Sequence, residues 1–173
     1  VYKRQHTEWA TVKSKSTTIK YCDFSTKKNK TAIHTSRTAG ISGNPVPTKK
    51  SYGNSSYYEL LADEIVKGHT SLLNDACGVF CGFALDTAND RLALFTDYLG
   101  FRQIFLFKTE TGLVFSNALW LIERTLPKDT PFDEKAVIEI GVLGHPLENR
   151  TRREGVTLLP PGCLLTVDGT GTP

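Results

Sequence analysis

The stretch CGVFCGFALD, residues 77–86, decides the fold of this chain. Its side chains alternate as they do along a β-strand that has two different faces. One face is bulky and the other is smaller, so we expect another part of the protein to lie close to the smaller face. The bulky face consists of Val79, Cys81, Phe83 and Leu85, and the smaller face consists of Phe80, Gly82 and Ala84.

Three more β-prone stretches follow, at residues 91–97, 103–108 and 113–116. Both faces of these stretches are largely apolar, which indicates a sheet covered on both sides. Turn residues separate them, and Gly100 in the second turn is expected to have a positive φ. Asp97 and Arg102 flank this bend, where Asp97 is interpreted as a carboxylate that caps it. We predict an antiparallel meander inside a layered α+β domain.

Helices are predicted on both sides of these strands. Ser56 and Glu59 match a capping box, and the helix behind them stops at Gly68. Two more helices are predicted to follow Asn117 and Asp133 in sequence, with these two residues as N-caps. The residues expected to point inward are Tyr57, Leu60, Leu61 and Ile65 in the first helix and Ala136, Val137 and Ile140 in the last. Short strands are predicted at residues 9–12, 17–21, 32–35 and 163–167, and a strand end with a loop at residues 39–47.

Charge is distributed unevenly along the chain. Residues 1–50 hold eleven Lys/Arg and two Asp/Glu, about +9, whereas residues 51–173 hold ten and sixteen, about −6. A basic half can bind nucleic acid, but here the lysines lie among Ser and Thr without aromatic platforms or a known module. We therefore interpret residues 1–55 as a basic β-rich part of the domain, residues 56–126 as its core, and residues 127–173 as a C-terminal helix, loop and closing strand.

The cysteines and histidines have no metal-site spacing, so no metal is expected. Cys77 and Cys81 are four apart on a strand and are interpreted as buried free thiols. No apolar run is long enough to cross a bilayer, and we predict a cytoplasmic protein without a membrane partner. Because methionine is absent from the sequence, we expect an interior fragment of a longer chain.

Five motifs, taken in their order along the chain, resemble those of a known protein family. They are the strand GVFCGFALD (78–86), DRLALFTDYLGFRQIF (90–105), GLVFSNAL (112–119), GHPLENRT (144–151) and LLPPG (158–162). Together they resemble the N-terminal, type 2 glutamine amidotransferase domain of the asparagine synthetase family. The similarity covers residues 56–168, and the whole series in this order is more specific than any single motif.

This resemblance implies an Ntn-hydrolase-like fold, a four-layer αββα sandwich of antiparallel sheets, here incomplete. It also implies a C-terminal synthetase domain as intramolecular partner. ATP and magnesium would belong to that domain, since no nucleotide-binding glycine loop of that kind occurs here and no cofactor is expected in this chain. Glutamine is the candidate small ligand.

Glutamine hydrolysis of this type requires an N-terminal thiol, oxyanion donors, a carboxylate and an arginine. The first residue here is Val1, and no Asn-Gly-Glu segment occurs. The nearest counterparts are vestigial substrate-binding positions, namely Arg37, Gly43, Asn44 and Tyr57. Tyr57 stands where the family has an aspartate. No catalytic residue is assigned, and Cys22 lacks the α-amine that would serve as its base.

Three interpretations follow. The first is an amidotransferase-like domain that has lost glutaminase activity and serves as docking partner for a synthetase domain. The second is an active glutamine-hydrolysing domain whose true start is missing from the sequence. The third is a basic nucleic-acid-binding module formed by residues 1–50.

Overall fold

The computed structural model describes residues 9–13, 15, 18–22, 30–34, 37–48, 57–110 and 112–168. The strands are β1 (Trp9–Lys13), β2 (Thr18–Cys22), β3 (Lys30–His34), β4 (Arg37–Pro47), β5 (Ala76–Asp86), β6 (Arg91–Thr96), β7 (Phe105–Thr109), β8 (Gly112–Ser116), β9 (Val156–Leu158) and β10 (Leu164–Asp168). The helices are α1 (Tyr57–Val66), α2 (Ser71–Asn74), α3 (Leu119–Glu123) and α4 (Glu134–Leu143).

The strands form antiparallel sheets, which confirms the α+β class. The largest has five strands in the order β10-β6-β5-β4-β3. A second sheet has the order β8-β7-β9, and β1 pairs with β2. The strands predicted at residues 9–12, 17–21, 32–35 and 163–167 correspond to β1, β2, β3 and β10 with shifted ends.

The two faces of β5 pack into different apolar clusters, as the alternation predicts. Phe80 and Ala84 join the cluster under α1, together with Ala93 and Phe95 of β6. The opposite face contributes Cys81, Phe83 and Leu85 to a cluster with Leu92 and Leu94 of β6 and with Ile104, Leu106, Leu113 and Phe115 of the three-stranded sheet region. Close approach at Gly82 is also confirmed, because an added Cβ would lie 2.5 Å from the Phe95 ring.

The predicted four-strand meander is wrong. β5 pairs with β6, but β7 pairs with β8 and β9 in the second sheet. The chain changes sheets in the segment between Thr96 and Phe105, where the side chain of Asp97 binds the backbone N–H groups of three following residues and prevents a simple hairpin. Alternation specifies which face a residue is on, but it does not specify the neighbouring strand.

The strand end predicted within residues 39–47 is confirmed, but the loop is wrong, because β4 continues through Pro47 in register with β5. Pro45 lies opposite Gly78, which has no side chain to compete for space. The pairing of β5 with β6 begins only at Cys81. The first part of β5 therefore lacks a neighbour on that side. Val79 is exposed there, and so is Cys77, which was predicted to be a buried thiol.

The helices follow their predictions in part. In α1, Tyr57, Leu61 and Ile65 are buried, and Gly68 ends the helix with a φ of 84°. The capping box involves Ser56 and the side chain of Glu59, which lie outside the described part of the chain.

The inward face of α4 differs from its prediction. Asp133 caps the helix by accepting from the Ala136 backbone N–H, as expected, and Ala136 is buried. Val137 and Ile140 are exposed, and Glu139 is buried instead. Glu139 accepts hydrogen bonds from the Leu147 backbone N–H at 2.8 Å and from the Arg150 guanidinium at 2.5 Å. Charge-assisted bonds of this kind allow a carboxylate to occupy a buried helix position, and they hold the pKa of Glu139 below its usual value, with the Arg150 bond as the main cause.

Candidate functional site

Four segments meet at one end of the five-stranded sheet. In register across the sheet, Ser42 of β4 faces Cys81 of β5, which faces Thr96 of β6. The Thr96 backbone N–H donates to the Cys163 carbonyl just before β10. The segments that emerge beyond this row are residues 43–47, 76–80, 97–102 and 160–162. We call this surface the sheet end.

Residues 43–47 and 76–80 form a two-stranded ribbon that projects beyond β6. Gly43 and Gly78 have φ values of 108° and 111°, a conformation that side chains disfavour. A Cβ added at Gly43 would overlap the Val79 carbonyl oxygen, and one at Gly78 would overlap the Asn44 carbonyl oxygen. The two glycines therefore let the paired backbones approach each other closely.

Asp97 organises residues 97–102, which we call the clamp loop. Its buried carboxylate accepts backbone N–H bonds from Leu99 and Phe101 on Oδ1 and from Phe80 and Arg102 on Oδ2, at 3.0–3.2 Å. A carboxylate that satisfies several N–H groups is a strong local anchor. The interpretation of Asp97 as a bend-capping residue is therefore confirmed, and Gly100 has the expected positive φ of 67°.

The clamp loop is bound to the Pro-Pro-Gly turn at residues 160–162. The Gly162 backbone N–H donates to the Asp97 carbonyl at 2.8 Å, and the Thr96 hydroxyl donates to the Pro160 carbonyl at 2.7 Å. Pro161 lies against Gly100, where an added Cβ would be 2.8 Å from the proline ring. Two motifs that are about sixty residues apart in sequence are therefore joined by hydrogen bonds into one unit.

The clamp loop presents an apolar rim to solvent. Tyr98, Leu99 and Phe101 are all exposed, with 63% of Leu99 accessible. Monomeric proteins rarely leave large apolar side chains clustered on a surface without a binding role. The bonds to Asp97 fix the backbone that carries these side chains.

The vestigial substrate-binding positions are not all brought together. Gly43 and Asn44 lie in the ribbon. Arg37 lies at the opposite end of β4, opposite Asp86, and six residues of extended strand place it about 20 Å from Gly43. Tyr57 is buried at the start of α1, and its hydroxyl donates to the Leu72 carbonyl at 2.7 Å. Tyr57 is therefore part of the contact between α1 and α2.

The cysteine thiols near the sheet end differ in environment. Cys77 is exposed in the ribbon, whereas Cys81 is buried with its thiol 3.8 Å from the Gln103 carbonyl. Burial raises the pKa of the Cys81 thiol to about 11, and Arg102 opposes this rise only in part. A nucleophilic cysteine requires a lowered pKa, whereas the pKa of Cys81 is raised, so Cys81 is a poor nucleophile.

Thiol labelling should separate these two cysteines. At pH 8 a thiol with a pKa of about 11 is ionised in roughly one molecule in a thousand, so we expect iodoacetamide to modify Cys77 at least about a hundredfold faster than Cys81. Peptide mapping by mass spectrometry gives both rates in one sample. In denaturant the two rates should converge, and equal rates in the native protein would contradict the burial of Cys81.

The described residues offer no metal centre and no membrane-crossing helix. Within them, no group of three or more His, Cys, Asp or Glu residues is arranged to hold a metal ion. None of their helices combines the length and the apolar character that are needed to cross a bilayer.

The apolar rim was not identified from the sequence. Its only signal is a run of large apolar residues inside a turn that contains glycine, DYLGFR at residues 97–102. Such a run is equally compatible with a strand or a buried bend. The side chains point outward because the Asp97 carboxylate accepts hydrogen bonds from the backbone N–H groups of this segment.

Comparison with known proteins adds no assignment to this geometry. A scan against models of known protein families finds no match, and a search of the curated proteins finds none either.

Proposed function

We propose that this chain is a type 2 glutamine-amidotransferase-like domain of an asparagine-synthetase-like protein, and that it does not hydrolyse glutamine. In this proposal it serves as docking partner for an ATP-dependent amide-forming domain, which would hold ATP and magnesium. The antiparallel sheets, with α1 on one side and α3 beside β7 and β8, would correspond to the αββα layers of an Ntn-hydrolase-like fold.

The bonded unit formed by the clamp loop and the Pro-Pro-Gly turn supports the scaffold part of the proposal. These are two of the motifs on which the resemblance depends, and they meet through Thr96, Asp97, Pro160 and Gly162. Motifs that are distant in sequence but bonded in space are expected of one inherited scaffold.

The proposed loss of glutaminase activity is based mainly on Tyr57, which stands where the family has an aspartate. An enzyme of this type would need a carboxylate there to bind the amino group of glutamine. The Tyr57 side chain is a phenol and not a carboxylate, and its hydroxyl donates to the Leu72 carbonyl. Arg37 lies too far along β4 to act together with Gly43 and Asn44 on one small ligand.

The apolar rim supports the docking role. Tyr98, Leu99 and Phe101 are held at the sheet end by the carboxylate of Asp97. Aromatic side chains such as those of Tyr98 and Phe101 are enriched at protein interfaces.

A glutaminase assay tests the proposal. We expect the purified chain, incubated with glutamine, to release glutamate no faster than a protein-free blank. The matched variants are Cys22→Ala and Cys77→Ala, with Cys163→Ala as the half-buried control. Glutamine turnover that Cys22→Ala or Cys77→Ala abolishes and Cys163→Ala retains would contradict the loss of activity.

A further inference from the structure

The outer edge of β5 in the ribbon has no neighbouring strand. β6 pairs with β5 only from Cys81 onwards, whereas β4 stays paired with β5 as far as Ala76. The Phe80 backbone N–H and carbonyl, which face the missing neighbour, are bonded to the carboxylate and the backbone N–H of Asp97. Alternate residues of a strand direct their N–H and C=O groups to the same side, so those of Gly78 and Ala76 also point outward. In the described part of the chain, no hydrogen bond reaches these outward groups.

The opposite edge of the ribbon is protected. On β4 the outward positions are Pro45 and Pro47, which pair with Gly78 and Ala76. Proline has no N–H, so it cannot donate to an added strand. Prolines and charged residues are the usual protection of an exposed edge, but residues 76–79 of β5 are Ala, Cys, Gly and Val. The ribbon is therefore closed to strand addition on its β4 side and open on its β5 side.

The open edge is short and bounded at both ends. Asp97 occupies the place beside Phe80, and α2 ends at Asn74, just before β5 begins. An added strand can therefore bond only at Ala76 and Gly78. A long foreign strand would form no further backbone bonds with this edge, whereas a partner whose own free edge has the same length matches it completely.

We propose that the open edge of β5 pairs with the same edge of a second copy of the chain, antiparallel and centred on Cys77. In this register Ala76 of each copy lies opposite Gly78 of the other, and each such pair exchanges two backbone hydrogen bonds. All outward groups of the open edge then have partners, and the two-fold symmetry limits association to a dimer. This inference does not rest on the proposed function, because it uses only the pairing of the ribbon.

The elements beside the ribbon leave room for this pairing. In α2, which leads into β5, Leu72 and Leu73 pack against the cluster under α1. The clamp loop leads instead to Ile104, which lies in the cluster on the opposite face of β5. The two-fold axis is perpendicular to the shared sheet, so corresponding faces of the two copies stay on the same side. The α2 of one copy therefore approaches the end of β6 of the other from the face that the clamp loop does not use.

The exposed apolar side chains of the ribbon become continuous in the dimer. Val46, Cys77 and Val79 lie on one face of the ribbon, because Val46 pairs with Cys77 and Val79 is two residues further along β5. Val46 is 48% exposed and Val79 is 42% exposed. Diagonal neighbours across an antiparallel pair lie within reach of each other, so Val79 of one copy lies near Cys77 of the other. Dimerisation therefore removes apolar surface from water in addition to satisfying the backbone.

Oxidative cross-linking of the full chain tests the register. Each Cys77 would lie opposite its counterpart in a non-hydrogen-bonded pair, where the Cα atoms are about 4.5 Å apart, within the range that a disulfide allows. Replacing Cys22 and Cys163 by alanine leaves Cys77 and the buried Cys81 as the thiols. Diamide accepts the two electrons and two protons that two thiols release. It should convert this protein to a covalent dimer, which peptide mapping by mass spectrometry should locate at Cys77.

The matched control moves the thiol by two residues. Val79→Cys, combined with Cys77→Ala in the same background, places an exposed thiol on the same face of the ribbon. Its counterpart in the dimer would lie about 13 Å away along the strand, too far for a disulfide. We expect cross-linking at Cys77 to be at least about tenfold faster than in the Val79→Cys variant. No cross-linking at Cys77, or equal rates for the two thiol positions, would overturn the proposal.

Sedimentation velocity measures the association without an oxidant. So short an edge makes a small interface, and we expect a Kd on the order of 0.1–1 mM. Cys77→Lys places like charges directly opposite each other and should weaken dimerisation about fivefold, whereas Cys77→Ser should change it by less than about twofold. Ile138→Lys adds the same charge at an exposed position on α4 and should have no effect. A monomer at every concentration up to about 1 mM, or equal effects of Cys77→Lys and Ile138→Lys, would refute the pairing.

Discussion

Replacing Asp97 by alanine is expected to lower the free energy of unfolding by about 3–5 kcal/mol. The carboxylate is almost fully buried and accepts backbone N–H bonds from Phe80, Leu99, Phe101 and Arg102. The substitution leaves these donors without an acceptor in a place where water has limited access, and each unpaired donor is expensive. Urea unfolding followed by circular dichroism measures the change.

The conservative variant Asp97→Asn refines this prediction. The asparagine side chain keeps the shape, but it replaces one acceptor oxygen by an NH₂ group that faces two N–H donors. We expect a loss of about half the alanine effect, on the order of 2 kcal/mol. Asp168→Ala is the control. The Asp168 side chain is 72% exposed, and its ion pair with Arg91 is long, with 3.9 Å between Oδ1 and Nε. The substitution should therefore change the free energy of unfolding by less than about 0.5 kcal/mol. Equal effects of Asp97→Ala and Asp168→Ala would show that Asp97 does not hold the clamp loop.

Replacing Gly43 by alanine is expected to destabilise the protein by about 3 kcal/mol or more. Two causes act together. The φ of 108° lies in a region that alanine disfavours, and the new Cβ would overlap the Val79 carbonyl oxygen in the paired strand. Since the obstacle is backbone, relief requires the ribbon to separate, which removes pairing between β4 and β5. Thermal unfolding by calorimetry, with urea unfolding in parallel, measures the loss.

Gly112→Ala is the matched control for Gly43→Ala. Gly112 begins β8, has no positive φ, and has nothing within 4 Å of an added Cβ. The substitution should be neutral or slightly stabilising, by up to about 1 kcal/mol. If Gly43→Ala were as well tolerated as Gly112→Ala, the close approach of the two strands in the ribbon would be refuted.

The candidate site was predictable only where its determinants are local. Asp97 and Gly100 stand out because a carboxylate and a glycine between two apolar runs are typical of a capped bend, and the structure bears this out. Gly43 and Asn44 do lie at the sheet end. Arg37 does not, because residues 37–43 form one extended strand instead of entering a loop, and an extended strand places Arg37 far from Gly43.

The sequence alone determined the local features: the two faces of β5 and β6, the inward residues of α1, and the turn at Asp97. Side-chain periodicity and backbone restrictions act over a few residues and are visible in the order of the amino acids. The tertiary structure decided which strand β7 pairs with, that Tyr57 bonds to Leu72, and that α4 turns Glu139 inward. Each of these depends on a partner distant in sequence, and the free energy of such contacts is set by three-dimensional neighbours that no local pattern specifies.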